Sequence, residues 1–131
     1  MKLLLDTQCW LWMETTPERL GDRAAELVGN GAHELLLSAA SSWEVAIKYA
    51  IGKLSLPVSP ARYVPERMHR SGIQPLPISH VHSLRVAELP LHHRDPFDRM
   101  LVAQAHCDGL TLLTADPLLR QYDVPIEWAG S

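Results

Sequence analysis

The 131-residue sequence lacks several features that each mark a particular class of protein. It has only two cysteines, Cys9 and Cys107, whose spacing matches no metal-binding or redox motif, so we expect free thiols. No apolar run approaches the roughly 18 residues of a membrane-spanning helix. The N-terminus has one lysine, a short apolar run and then Asp6, which differs from a secretion signal. These absences predict a cytoplasmic protein with no membrane association.

An excess of positive charge is also missing. Twelve Lys and Arg against 15 Asp and Glu give a formal net charge of −3. This balance argues against nucleic-acid binding through bulk charge, but it leaves nucleic-acid enzymes open, because local patches and metal ions matter more than the total. The hydrophobic fraction of 47% suffices for a core. Without internal repeats or low-complexity segments, we expect one domain over residues 1–131.

Apolar runs alternate with segments of helical character along the chain. The runs predict buried strands at 2–5, 34–38 and 110–114, and shorter strands at 72–78 and 124–128. Helices are predicted between them by apolar spacing, cap residues and prolines. Strands that alternate with helices favour an α/β fold around a mainly parallel sheet.

Two of these helices can be described in more detail. Thr16 as N-cap and Pro17 at the first helical position predict one helix, with a face of Leu20, Ala24, Leu27 and Val28. After the second strand, apolar residues recur at helical spacing, namely Trp43, Ala46, Ile47, Ala50 and Ile51. The tryptophans have apolar neighbours, which predicts places in the core or an interface rather than base-stacking platforms.

Acidic residues follow the ends of the predicted strands. Asp6 comes directly after the first strand, Glu44 lies in the first helical turn after the second, and Asp116 follows the strand at 110–114. Asp95 and Asp98 open the helix before that strand. Because ligands bind beyond the carboxyl ends of parallel strands, these acids are expected at one edge. Carboxylates this close together repel each other and raise each other's pKa, and a bound divalent cation relieves that repulsion. Because such a cation can also activate water, the pattern suggests metal-assisted phosphodiester hydrolysis.

A purely structural interpretation fits most of the same residues. Asp95 and Asp116 each precede a proline and fit helix caps. Ser41 and Glu44 fit a capping box, and Asp98 fits a charge that complements the helix dipole. Asp6 differs, because it directly follows a buried apolar run and is not followed by a helix that opens with proline. A catalytically silent binding module therefore remains an alternative.

Two other metal-dependent classes are less consistent with the sequence. A phospho-acceptor receiver domain also gathers acids at strand ends, but it needs a lysine after a late strand, and the last lysine here is Lys53. Zinc is suggested by His80, His82, His92 and His93. Adjacent histidines on a loop rarely form a zinc site without further ligands.

Five stretches occur in order: LLLDT, SAASSWEVAIK, GKL, LPLHHRDPFDRMLVAQA and LTLLTADP. Together they resemble PIN-domain proteins, and more narrowly the VapC-like toxins of bacterial type II toxin–antitoxin systems. The resemblance covers nearly the whole chain and implies a three-layer α/β/α sandwich with a short, mostly parallel sheet. It also implies a Mg²⁺- or Mn²⁺-dependent endoribonuclease with an RNA substrate, a homodimer, and a cognate antitoxin that covers the acidic pocket.

The resemblance assigns four catalytic acids, Asp6, Glu44, Asp98 and Asp116. Asp6, Asp98 and Asp116 would hold the metal ion. Glu44 would complete the pocket and orient or deprotonate the attacking water. Candidate auxiliary residues are Asp95, Thr114 and Thr7.

Arginines and apolar residues supply the expected contacts with RNA and protein partners. The candidates for RNA binding are Arg94 and Arg99, together with Arg62, Arg67 and Arg70. The alternative for Arg99 is an ion pair with a pocket acid. Apolar positions around Trp10, Trp12 and Leu54 to Leu56 are expected at an interface with the antitoxin or a second copy. Gln8 stands where this subgroup often has histidine, a departure that affects substrate contacts or packing rather than the acid set.

Overall fold

The computed structural model describes residues 1–130, which contain a five-stranded, entirely parallel sheet. Its strands are β1 (Lys2–Leu5), β2 (Glu34–Ser38), β3 (Ile73–Leu76), β4 (Thr111–Thr114) and β5 (Ile126–Trp128). They lie in the order β3-β2-β1-β4-β5, with Leu4 of β1 opposite Leu36 of β2 and Leu112 of β4. The central position of β1 explains its unbroken apolar run, because a parallel sheet is covered on both faces.

Helices cover both faces of this sheet. They are α1 (Thr7–Thr15), α2 (Asp22–Gly29), α3 (Ala39–Ala50), α4 (Pro60–Ser71), α5 (His80–Arg85) and α6 (Pro96–Asp108). Leu3 and Leu5 pack with residues of α1, α2 and α4, whereas Leu4 packs with residues of α6. This alternation along β1 produces two core clusters, one on each side. The predicted three-layer α/β/α sandwich is confirmed. None of the helices within residues 1–130 has the length and apolarity needed to cross a membrane.

The predicted start of the second helix, with Thr16 as N-cap, is wrong. Pro17–Arg19 forms a short 3-10 turn, Leu20 has extended backbone, and α2 begins only at Asp22. Gly21 is extended as well, and its N–H donates to the carbonyl of Ala129, 2.9 Å away. That bond to the far end of the chain breaks the helix, although Leu20 remains buried as part of the core.

The apolar spacing in α3 does not mark its buried face. Trp43 is 61% exposed and Ile51 60% exposed, whereas Glu44 and Val45 are buried. Trp43 makes an edge contact with Phe97 of α6, with ring centroids 5.2 Å apart. Trp43 is therefore not a core residue, and of the two predicted places only an interface remains as an expectation.

Candidate active site

A pocket of about 380 Å³ lies beyond the carboxyl ends of β1, β2 and β4. All five acids predicted at this edge line it, namely Asp6, Glu44, Asp95, Asp98 and Asp116. The parallel sheet is the cause, because its central strands all end on the same side.

Asp6 is buried and bonded through both carboxylate oxygens. Its Oδ1 accepts the Cys9 N–H at 2.7 Å and so caps α1, a helix without an opening proline. Its Oδ2 accepts the hydroxyl of Thr114, 2.5 Å away. Burial raises the pKa of Asp6, while the bonds from Thr114 and Cys9 oppose the rise. The chain therefore holds a carboxylate where desolvation disfavours its charge.

Glu44 points its carboxylate into the pocket, so the predicted capping box is wrong. The N-cap of α3 is Ser38, which accepts the Ala40 N–H at 3.0 Å. Glu44 Oε2 instead accepts from Lys48 Nζ at 2.7 Å, one helical turn along. Its Oε1 is buried and has no hydrogen-bond partner among residues 1–130. Such an atom is costly unless a ligand fills the pocket.

Lys48 is a pocket residue that the sequence reasoning missed. Its spacing of four residues after Glu44 on a predicted helix is the signal that would have found it. The bond to Glu44 raises the pKa of Lys48, and the nearby Asp95 and Asp98 add smaller effects. The pocket thus contains a cation of its own at one wall.

Asp98 has the most crowded environment of the acids. Asp95 caps α6 by accepting the N–H groups of Phe97 and Asp98 at 2.8 and 3.1 Å, which brings its charge close to Asp98. Burial first, and then Asp95, raise the pKa of Asp98 to about 7. His93 opposes the rise through a 2.8 Å contact from Nε2 to Asp98 Oδ2. The expected repulsion between carboxylates is therefore present.

Asp116 joins the site through Thr114 and His93. Its Oδ1 caps the 3-10 turn Pro117–Gln121 by accepting the Leu118 N–H, and its own N–H donates to the Thr114 hydroxyl oxygen. Thr114, predicted as auxiliary, therefore links Asp116 to Asp6. His93 Nε2 lies 3.3 Å from Asp116 Oδ2.

His93 is the second residue that the sequence reasoning missed. The sequence suggests it only as one histidine of an unsupported zinc site, although it precedes Asp95 and Asp98 by a few residues. One donor atom each from His93, Asp98 and Asp116 lies within 4.8 Å of the others. His82 differs, because it is buried at the start of α5 with Nε2 3.0 Å from Asp108, remote from the pocket acids.

The structure contradicts one of the remaining site predictions, Arg99, and leaves Thr7 and Arg94 as candidates. Arg99 is buried, and its guanidinium donates to the Tyr122 hydroxyl and to main-chain carbonyls of Val86, Leu89, Pro90 and His93. It is therefore unavailable to RNA or to a pocket acid. Thr7 lines the pocket, but its hydroxyl donates to Ser41 at 2.9 Å rather than to an acid. Arg94 is exposed next to Asp95, as an RNA contact requires.

The residues fit a hard divalent cation. Carboxylate oxygens are its preferred ligands, and burial raises the pKa of both Asp6 and Asp98, so the protein alone disfavours their charged forms. The buried, unpartnered Oε1 of Glu44 adds an acceptor without a donor. A bound cation would remove both unfavourable features.

Comparisons with known proteins agree with the geometry. A family model described as PIN domain matches residues 3–125. Ribonuclease VapC16 of Mycobacterium tuberculosis is 49% identical over 57 residues, which are 44% of this chain and 40% of the relative's length.

Solved structures share the fold at low sequence identity. A chain of VapBC2 from Rickettsia felis, bound to a promoter DNA fragment, gives a TM-score of 0.72 at 15% identity and covers 98% of this chain and 99% of its own. A chain of VapBC-1 from nontypeable Haemophilus influenzae gives 0.68 at 19% identity, with 97% of both chains covered. Because the family model spans nearly the whole sequence and the architecture agrees, the chain belongs to the PIN domain family.

Proposed function

We propose that this chain is a divalent-metal-dependent endoribonuclease that hydrolyses RNA phosphodiesters. The observation that carries the proposal is the convergence of Asp6, Glu44, Asp98 and Asp116 in one pocket, where burial disfavours the charged forms of Asp6 and Asp98. The similarity to a protein named as a ribonuclease supports the choice of RNA.

Each pocket acid has a distinct part in this proposal. Asp6, Asp98 and Asp116 would hold the cation, Mg²⁺ or Mn²⁺, which would supply positive charge against the phosphate and the leaving 3′ oxygen. Glu44 orients the attacking water and accepts its proton. Lys48 holds Oε2 of Glu44 at 2.7 Å and so fixes the orientation of this carboxylate.

Basic residues at the pocket rim would hold the RNA backbone. Lys48 is half exposed and lines the pocket, and Arg94 is exposed directly before Asp95. Their charges attract phosphates that the acidic pocket alone would repel. Arg62 and Arg67 are weaker candidates, because they lie near Glu66 and Glu14 at 3.5 and 3.7 Å.

We further propose that the chain is the toxin of a type II toxin–antitoxin pair and that an antitoxin segment covers the pocket. The similar structures are described as VapBC assemblies, which supports this partner. A second cavity, lined by Leu54 and Leu56, shares Gln8, Leu11 and Trp12 with the acidic pocket. An apolar segment lying there would lead its end into the acids. Trp10, expected at this surface, is fully buried and takes no part.

The alternative is a catalytically silent binding module. It is favoured by one specific observation, namely that Asp6, Asp95 and Asp116 are all helix caps with backbone N–H partners. In that case the acids would serve folding alone, and their exchange for asparagine would change little beyond stability, since there would be no cleavage to lose.

RNA cleavage separates the two functions. Wild type, Asp98→Asn and the exposed control Asp123→Asn are purified free of antitoxin and incubated with an RNA pool in Mg²⁺, Mn²⁺ or EDTA. We expect metal-dependent cuts with 5′-phosphate ends for wild type and the control, and none for Asp98→Asn. Cleavage that survives EDTA and the Asp98 exchange would contradict the proposal. If the folded wild type does not cleave, expression in bacterial cells decides, because a silent module would not inhibit growth.

A further inference from the structure

His93 bridges two acids that belong to different parts of the fold. Asp98 lies in the first turn of α6, whereas Asp116 follows β4. The His93 Nε2 atom lies 2.8 Å from Asp98 Oδ2 and 3.3 Å from Asp116 Oδ2. The imidazole is mostly buried, with 15% of the side chain exposed. One ring nitrogen therefore contacts two of the three proposed metal ligands.

These distances alone allow two roles for His93. Ligands at about 2.1 Å from an octahedral ion are roughly 3 Å apart when adjacent, so the same separations would suit three groups on one cation. They equally suit an N–H that donates to carboxylate oxygens. The other ring nitrogen decides between these roles.

The Nδ1 atom of His93 accepts the backbone N–H of Arg94 at 3.1 Å. An accepting ring nitrogen carries no proton, and a neutral imidazole then has its proton on Nε2. A nitrogen must be unprotonated to bind a metal. The Arg94 contact thus assigns the proton to Nε2 and places Nδ1 against a donor, which favours the donating role over the ligand role.

The segment that carries His93 is fixed from the opposite side by Arg99. The Arg99 Nη1 atom donates to the carbonyl of Pro90 at 2.8 Å and lies 3.4 Å from that of His93. This buried guanidinium is thus anchored to the main chain on both sides of His92. The imidazole is therefore presented to the acids by a held segment rather than by a free loop.

We propose that His93 is a positioning residue that donates its Nε2–H to Asp98 Oδ2 and Asp116 Oδ2 and thereby orients both carboxylates for the cation. The consequence for metal affinity rests on the proposed function. Loss of a group that orients metal ligands commonly weakens binding 10- to 100-fold. Glutamine can place an N–H near the position of Nε2, whereas leucine fills the space without a donor.

The experiment compares wild type, His93→Gln, His93→Leu and the neighbouring control His92→Gln. Nitrogen NMR of the metal-free wild type reports the ring tautomer, and titration calorimetry with Mn²⁺ reports affinity without RNA. We expect a proton on Nε2, about 10- to 100-fold weaker Mn²⁺ binding for His93→Leu, and near wild-type binding for His93→Gln and His92→Gln. Pulsed electron paramagnetic resonance of the Mn²⁺ complex should show no directly bound nitrogen.

Three results would overturn this role: a proton on Nδ1, a nitrogen bound directly to Mn²⁺, or equal affinity of wild type and His93→Leu. Equal affinity would leave the proposed nuclease intact. A folded wild type that binds no Mn²⁺ would instead overturn the metal site itself, and with it the role of His93.

Discussion

Replacement of Asp98 by asparagine should stabilise the metal-free protein. Burial and the charge of Asp95 raise the pKa of Asp98 from 3.8 to about 7. One pKa unit corresponds to about 1.4 kcal/mol, and part of the effect is shared with the neighbouring acids, so the ionised carboxylate lowers the free energy of unfolding by roughly 2–4 kcal/mol above pH 7. Because the folded-state pKa is raised, stability from Asp98 is complete below about pH 4 and is lost as the pH rises to about 7.

Thermal unfolding in EDTA between pH 4 and pH 8 measures this effect. The melting temperature of Asp98→Asn should exceed that of wild type increasingly with pH, by several degrees per kcal/mol at pH 8. Mn²⁺ should then stabilise wild type more than the variant, because binding to the folded state adds stability. The exposed control Asp123→Asn should follow wild type. A variant that is less stable than wild type at pH 8, or a difference independent of pH, would refute this explanation.

Two further exchanges and one labelling experiment test the framework around the pocket. Arg99→Met should lower the free energy of unfolding in urea by about 3–5 kcal/mol, since it leaves buried carbonyls without donors, whereas the exposed Arg94→Met should change it by less than about 0.5 kcal/mol; equal losses would contradict this. In native protein, iodoacetamide should label Cys107 before Cys9, because Cys9 is buried and burial raises its thiol pKa. Peptide mass spectrometry measures the labelling of each cysteine, and equal labelling would argue against the packing of α1. Thr114→Val should cost about 1–3 kcal/mol in the same urea assay, because a buried carboxylate loses its donor, and an unchanged midpoint would show that this bond contributes nothing.

The strands and the positions of the acids could be predicted because their cause is local. A strand covered on both faces is apolar nearly throughout, as in residues 2–5, so the central strands can be identified in the sequence from their apolar runs. Parallel strands then end at one edge, which brings Asp6 and Asp116 together without any knowledge of side-chain packing.

The buried face of α3 could not be predicted from the spacing of its apolar residues. Helical spacing shows which residues share a face, but not whether the sheet or the solvent covers it. Here the face with Glu44 is turned inward and the face with Trp43 and Ile51 is exposed. The start of α2 was missed for a related reason, because a bond from Gly21 to the distant Ala129 interrupts the helix.

The segment HHRDPFDR shows both what the sequence determined and what only the tertiary structure decided. Its cap, proline and acids fixed the start of α6 and placed Asp98 in the first turn, since those preferences act over a few residues. The roles of its other polar residues depend on distant partners. Arg99 is turned away from the pocket toward Tyr122, and His93 lies between Asp98 and Asp116 only because β4 ends beside α6. Where a side chain points is set by packing between elements far apart in sequence, so the sequence determined the acid set and the fold determined what holds it.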